Sequence, residues 1–377
     1  MAFMDSVSEV NCKFDLYVKQ YRGQPVIVYG CGFKASCIIK GLRENGITDF
    51  KICVDEKYYK PETIVNGYKV YCLESVLRDG EQYDIVVAFE GYAPDLLLSK
   101  IKKNDWRVNE IIWTDTSSHF WMKPRIFSVP RSYYLEYDAD LTTFYNLLQD
   151  DLSKKCMVSF VNQRISGDYT YSDGLVADTE EEYFPKEFLN GKKDLVLIDC
   201  GAFDGDDTVR FFNMCDRLNI TKGGSVVIEP DKKNLCLLER NLSAFRDGVK
   251  IVNKATSNVD GKILAFADGG AMGSGFAEDG LEKVETITID SLYNCEKNFF
   301  EGKYSILKMD IEGAELETLQ GASHFIKACK PMLSICVYHK PEDIIDIPKY
   351  ILSLDPSYRL YLRRYSSGFR DTVLYAI

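Results

Sequence analysis

The sequence predicts an α/β protein of two domains, each built on a mostly parallel sheet, with an antiparallel pair of strands closing the second. Three observations predict it. Short, nearly uninterrupted apolar runs, among them Val26-Ile-Val-Tyr29, Leu195-Val-Leu-Ile198 and Met332-Leu-Ser-Ile-Cys-Val-Tyr338, alternate with amphipathic segments, the pattern of strands buried on both faces and joined by helices. Two of these runs pass straight into glycine-bearing turns that open a helix, at Gly30-Cys-Gly32 and Gly201-Ala-Phe-Asp-Gly205. A chain of 377 residues, 46% hydrophobic and 13% aromatic, is also long and apolar enough for two cores.

The first domain is expected over residues 1–117. Pro25 to Tyr29 reads as a strand, Gly30 to Gly32 as its turn, and Ala35 to Asn45 as a helix. Strands follow at Phe50 to Val54, with Asp55 at its end, at Tyr68 to Tyr71 and at Tyr83 to Phe89. This βαβ order resembles a truncated Rossmann domain of the kind fused to sugar-modifying enzymes. Gly30, Gly32 and Asp55 echo a dinucleotide fingerprint, but Ser36 replaces its third glycine. Two readings stay open, nucleotide binding and a cofactor-free module for dimerisation or substrate docking.

Residues 118–190 read as a helical connector or lid, with a helix from Thr142 to Lys155. Arg164 to Tyr171 and Glu182 to Pro185 are expected to form an arm over the second domain's pocket, with Tyr183 touching the substrate.

The second domain, 191–377, begins with the strand Leu195 to Ile198, the loop Asp199-Cys-Gly201-Ala202-Phe203-Asp204-Gly205, and an amphipathic helix from Thr208 to Leu218. The glycines remove side chains where the backbone turns and a ligand approaches, and the new helix offers free N–H groups. Asp199, Asp204, Asp206 and Asp207 would repel a pyrophosphate, so a cationic ligand without phosphates fits better. S-adenosylmethionine meets both requirements. The alternative is a solvated turn with helix-capping aspartates.

One βα unit later, a second buried strand ends at Glu229-Pro230-Asp231, the distance at which an acid grips ribose hydroxyls, although Glu229 could instead cap the following helix. Val249 to Thr256 reads as a third strand whose end, near Ala255, would flank an adenine. Tyr304 to Met309 reads as a strand that breaks at Asp310 to Gly313 and resumes as a helix with Leu316 and Leu319 on one face. Asp310 therefore stands at a strand's carboxyl end, where open α/β sheets bind ligands. Met332 to Tyr338 is a further strand, Asp343 to Leu354 a helix, and Tyr358 to Tyr365 with Thr372 to Ile377 a hairpin.

These residues resemble the FkbM-type S-adenosylmethionine-dependent methyltransferases. The resemblance rests on Asp199-Cys-Gly-Ala-Phe-Asp-Gly205, Glu229-Pro230-Asp231 and Lys308-Met-Asp-Ile-Glu-Gly-Ala-Glu315, and continues through Tyr338-His-Lys-Pro-Glu-Asp343 to Thr372-Val-Leu-Tyr-Ala376, covering about Tyr183 to the end. It implies a class I methyltransferase sheet, Rossmann-like and mostly parallel with an antiparallel last strand, and methyl transfer to an oxygen of a sugar or a polyketide-like product. On this reading Asp199, Gly201, Ala202, Phe203, Gly205, Glu229, Pro230, Ala255 and Asp310 hold the cofactor.

Methyl transfer to a hydroxyl needs in-line positioning and a proton acceptor. His339, at a strand's carboxyl end, is the expected base and Asp310 its rival, while His119 and His324 are expected to be structural. Lys308 and Lys340 would steady an anionic substrate, with Glu312, Tyr338 and Tyr183 also facing it. Asp310 and Glu312 are followed by no Asp-Asn pair, and no His or Cys set has zinc spacing, so metal independence is expected.

A net charge of −11 without a basic run argues against a nucleic-acid partner. No apolar run approaches the roughly 20 residues that span a bilayer and the amino terminus lacks a leader's pattern, which points to the cytoplasm. The 12 cysteines contain no Cys-x-x-Cys pair and are expected to be reduced. The expected partner is a small-molecule or glycan substrate, with self-association left open. Two other function classes stand beside a methyltransferase: an NAD-type oxidoreductase or nucleotide-sugar binder working through Gly30, and a binding protein without turnover.

Overall fold

The computed structural model describes residues 2–89, 94–114, 129–267, 275–276 and 282–377. His119 and the expected boundary near residue 117 lie outside them. The chain forms two compact units, one of Met1–Tyr145, Lys154–Val176 and Arg364–Asp371, the other of Asn146–Ser153, Ala177–Arg363 and Thr372–Ile377. The segment 118–190 thus contributes to both, and Arg164 to Tyr171 belong to the first.

In the first unit, strands β1 (Val26–Tyr29), β2 (Phe50–Val54), β3 (Ile64–Val65), β4 (Tyr68–Cys72), β5 (Tyr83–Val87) and β6 (Val108–Ile112) form a sheet in the order β3-β4-β2-β1-β5-β6. All neighbours are parallel except β3 and β4. Every residue of β1 is buried, as its apolar run requires, and the helix Phe33–Glu44 lays Ala35, Ile38, Ile39 and Leu42 into the same core. Gly30 ends β1 at φ 131°, where a Cβ would lie 2.7 Å from the Ala88 carbonyl oxygen, so only glycine fits. Strand β6 escaped the sequence reading because Asn109 and Glu110 interrupt its apolar residues, as suits a sheet edge.

The helix expected from Thr142 to Lys155 is two helices, Asp138–Leu147 and Asp151–Ser166. Leu148 leaves the helix to bridge Leu360, and the Asp150 carboxylate caps the second helix by accepting from Ser153 N at 2.7 Å.

In the second unit β7 (Leu195–Cys200), β8 (Lys222–Ile228), β9 (Val249–Val252), β14 (Tyr304–Met309), β15 (Met332–Cys336), β16 (Leu360–Arg364) and β17 (Thr372–Ala376) form a seven-stranded sheet, ordered β16-β17-β15-β14-β7-β8-β9. Strands β9 to β15 in this order run parallel, and β17 joins β15 antiparallel. This is the predicted α/β arrangement, with the order reversing between β7 and β14, the place where such sheets bind ligands. The helix Asp206–Leu218 buries Phe211, Phe212, Met214 and Cys215, each large apolar side chain contributing about 1.5–3 kcal/mol. It ends at Asn219, left-handed at φ 53°, with Ile220 N donating back to Cys215 O at 2.8 Å.

A second sheet of the same unit, ordered β10-β13-β11-β12, joins β10 (Ala255–Thr256), β11 (Ile263–Ala267), β12 (Gly275–Phe276) and β13 (Glu282–Ile287). It corrects the reading of Val249 to Thr256 as one strand. The chain leaves the main sheet after Val252, and Ala255 and Thr256 pair with Thr286 and Ile287 instead.

Candidate active site

The carboxyl ends of β7, β8, β14 and β15 assemble the site, and close backbone approach fixes it. Gly201 follows β7 at φ 79°, and a Cβ there would stand 2.0 Å from the Asp310 carbonyl oxygen. Asp310 N in turn donates to Cys200 O at 3.2 Å. The loop then passes through buried Ala202, Phe203 (φ 50°) and Gly205 (φ 87°), with the Phe203 side chain 58% exposed.

Glu229, at the tip of β8, is buried and binds this loop: its Oε2 accepts from Phe203 N at 2.9 Å. Its Oε1 accepts from Asp231 N at 2.8 Å and Asn234 Nδ2 at 3.2 Å. Burial pushes the carboxyl upward against these three bonds. Asp231, not Glu229, caps the helix Lys232–Asn241, accepting from Lys233 N at 2.8 Å, and Pro230 lies between them. Asn253, which the sequence reading passed over, donates to the Glu229 and Pro230 carbonyls at 2.9 and 3.0 Å. Asn253 directly follows β9, and Ala255 lies two residues further on, at the start of β10.

The loop's carboxylates are satisfied mostly from within. Lys308 on β14 is 1% exposed, stands 3.0 Å from both Asp199 Oδ1 and Asp207 Oδ2, and donates to Gly201 O at 2.9 Å. Burial alone would pull its ammonium down, but Asp199, Asp207 and Asp310 hold it well above its usual value. Asp199 also accepts from Thr208 Oγ1 at 2.7 Å, and Arg210 lies 3.0 Å from Asp207. Lys308 is therefore directed inward, away from any anionic substrate, and the aspartate cluster read as a cation receptor divides into an inner pair neutralised by Lys308 and the outer Asp204 and Asp206.

Asp310 is the centre of a second group. Its Oδ2 accepts from Tyr183 OH at 3.0 Å and its Oδ1 from Tyr338 OH at 3.1 Å, with His339 Nε2 at 3.4 Å from Oδ1. Burial pushes its carboxyl up, but the His339 and Lys308 charges and both hydroxyls outweigh burial and hold it below the usual carboxylate range. Tyr183 is no mobile lid: it is buried at φ 66°, its N donating to Tyr375 OH at 3.1 Å and its carbonyl accepting from Ser334 Oγ at 2.8 Å.

His339 is 8% exposed, with Nδ1 2.8 Å from Glu315 Oε1 and Nε2 3.7 Å from Glu312 Oε2. Burial would lower its pKa, but Glu315, Asp310 and Glu312 together push it up to about 10. These carboxylates favour the protonated imidazole, a form that does not accept a proton, and so weigh against the expected role of His339 as the base. Glu315, read from sequence as a helix-end charge, is fully buried and receives Ile311 N at 3.0 Å. Nothing in its spacing announced a contact with a residue on the next strand. Lys340 is exposed, its stem lying against Gly313. His324 is not part of this group: its ring lies tilted against Tyr293 at 5.7 Å and its backbone N donates to Asp290.

The donor set fits a cofactor with a ribose and an amino group but no phosphate. Carboxylates stand at the tips of β8 and β14, the loop between them admits no Cβ at Gly201, and the nearest lysine is engaged internally. In the first unit, by contrast, Asp55 accepts from Tyr29 OH at 2.7 Å and Lys100 Nζ at 2.5 Å, so the acid of the partial fingerprint is already bonded.

Residues 199–365 match the family model of the Methyltransferase FkbM domain. The chain is similar in structure to a methyltransferase FkbM from Methylobacillus flagellatus KT, at 17% identity and a TM-score of 0.71, over 99% of this chain and 95% of that one. It also aligns, at a TM-score of 0.28 and 14% identity, with a putative RNA methyltransferase from Pyrococcus horikoshii over 52% of this chain and 81% of that one. An S-adenosylmethionine-dependent methyltransferase from Aquifex aeolicus aligns at 0.28 and 13%, over 55% of this chain and 97% of that one. No curated protein matches the sequence.

Proposed function

Residues 199–365 form an FkbM methyltransferase domain, the family that uses S-adenosylmethionine, and from that premise we propose that the chain methylates a hydroxyl oxygen of a small molecule or glycan, most simply of a sugar. The observation that carries this reading is the group around Asp310. A carboxylate kept ionised and ringed by two phenols and an imidazolium lies one peptide from the glycine loop. Such a group can orient a neutral hydroxyl, and it offers nothing to an extended polyanion.

Bound S-adenosylmethionine supplies an electrophilic methyl group on a positively charged sulfur. Glu229 is positioned to hold the ribose, using lone pairs left beside its backbone bonds, and Gly201, Ala202, Phe203 and Gly205 line the approach. Asp310 accepts the hydrogen bond of the acceptor hydroxyl. As the new carbon–oxygen bond forms, that hydroxyl proton becomes strongly acidic, so even a carboxylate of low pKa suffices to receive it. His339 acts on Asp310 by charge, holding it ionised until that moment. Tyr183 and Tyr338 fix its two oxygens, and Glu312 and the exposed Lys340 stand at the rim for substrate contacts.

The test is mass spectrometry of glycans, lipids and metabolites from cells with and without the chain, followed by transfer of an isotopically labelled methyl group in vitro. One component heavier by a methylene, with the label on oxygen, supports the reading. Label on nitrogen or carbon refutes it.

A further inference from the structure

Asp310, Glu315 and His339 come from three places in the sequence, and each offers a ligand atom within 4.8 Å of the others. Glu315 is 0% and His339 8% exposed; Glu315 Oε2 has no hydrogen-bond partner, and the two imidazole nitrogens each face a carboxylate oxygen, Glu315 at 2.8 Å and Asp310 at 3.4 Å. Among the described residues, His339 is also the one cationic side chain within ion-pair distance of Asp310 and Glu315, and Glu312 adds a third carboxylate at 3.7 Å from it. One imidazolium thus faces the buried Glu315, the partly buried Asp310 and the exposed Glu312, with Lys308 acting on Asp310 only by its longer-range charge. Removing carboxylates from water without full compensation costs several kcal/mol per ion, so the cluster has an unmet need for positive charge.

We propose that Asp310, Glu315 and His339 bind a divalent first-row transition-metal ion beside the position of the methyl acceptor, the ion displacing the imidazole proton and taking over from it as the positive charge that keeps Asp310 ionised. The proposal deepens the methyltransferase reading and, for what the ion would orient, rests on it. Two carboxylate oxygens and an imidazole suit Mn²⁺ or Fe²⁺ better than Mg²⁺ or Ca²⁺, which prefer all-oxygen sites. Bonds of about 2.2 Å place adjacent ligands about 3 Å apart, against ligand atoms that here lie within 4.8 Å of one another, so the three side chains close on the ion as it binds. The ion's open positions would hold an acceptor oxygen, and its ligand Asp310 is the residue whose backbone carbonyl packs against Gly201 of the glycine loop. Sequence spacing hid this site because its ligands are joined by the pairing of β14 with β15 and by the turn after Asp310, not by a motif.

Titration of Mn²⁺ into the metal-stripped full chain, followed by the electron-spin signal of the free ion, tests the proposal. One saturable site per chain is expected, with pulsed-resonance coupling to an imidazole nitrogen in the wild-type complex. His339→Gln and Glu315→Gln should each weaken it by about tenfold or more while retaining S-adenosylmethionine binding, which also reports that the variants fold. Absence of saturable Mn²⁺ binding in a chain that binds S-adenosylmethionine overturns the proposal, as does Mn²⁺ binding without nitrogen coupling. A chain that binds Mn²⁺ with that coupling but ignores S-adenosylmethionine keeps the metal site and removes the methyltransferase reading.

Discussion

Replacing Lys308 with methionine keeps the length of the side chain and removes one charge from a place water cannot reach. Lys308 is 1% exposed, Asp199 0%, and the ammonium stands 3.0 Å from Asp199 and from Asp207. At an effective dielectric of about 20, each contact at that distance is a gross attraction of about 5–6 kcal/mol, so the two together come to about 11. Desolvating three ions offsets most of that sum, and the measured cost of breaking a buried pair from one side is about 3–5 kcal/mol. For a domain of this size that is a loss of about 6–20 °C in melting temperature. The Lys222–Asp216 pair is the internal control: its side chains are 32% and 63% exposed, and Lys222→Met should cost about 0–1 kcal/mol. The assay is urea unfolding of both variants, with calorimetric titration of S-adenosylmethionine, because Lys308 also holds the Gly201 carbonyl at 2.9 Å. The double variant Asp199→Asn with Lys308→Met should recover part of the loss, since it also removes the more deeply buried of the two stranded charges. If Lys308→Met unfolds within about 1 kcal/mol of wild type and binds the cofactor normally, the inner ion pair does not organise the loop.

Three further outcomes are expected. His339→Ala should reduce turnover about 100-fold while leaving cofactor affinity in place, measured by labelled methyl transfer beside calorimetry; unchanged turnover would detach the imidazole from the chemistry. Glu229→Ala should weaken S-adenosylmethionine binding by about tenfold or more, because a charged acceptor is lost both to the ribose and to the Phe203 amide, and normal binding would refute the assignment. Asp150 tests the acid limb of stability. Burial pushes its carboxyl up, but Arg363 at 2.7 Å and Ser153 hold it below its usual value. Its stabilisation should therefore be complete at pH values above the unfolded-state pKa of about 3.9 and fade as pH falls through the lower folded value. Asp150→Asn should lower stability at neutral pH and converge with wild type at the acid end; a constant difference across that range would contradict the linkage.

The cofactor was inferred from four aspartates around a glycine loop, and that argument reached the right cofactor by a partly wrong route. The glycines did what their spacing implied, since Gly201 faces a carbonyl that excludes any side chain. The aspartates did not act as read: Asp199 and Asp207 neutralise Lys308, so the lysine nearest the loop among the described residues is engaged and not offered to a phosphate. Similarly, the histidine shortly after β15 is where sequence order placed it, but its proton affinity is raised chiefly by Glu315, five residues after Asp310, through a contact that the fold makes and no motif announces.

By itself the sequence determined the parallel strands, their order along the chain, the glycine turn, and which acids stand at strand ends, because burial on both faces writes continuous apolar runs and backbone close approach writes glycine. It also set the helix Asp343–Leu354 and the terminal antiparallel pair. Only the tertiary structure decided which charges meet. Lys308 with Asp207, His339 with Glu315 and Tyr183 with Asp310 are contacts across separate elements, and periodicity, being a local property, carries no record of them. The small sheet around Ala255 was hidden for a related reason: strands as short as Ala255–Thr256 and as mixed as Glu282–Ile287 have no pattern of their own and exist through the partners they find.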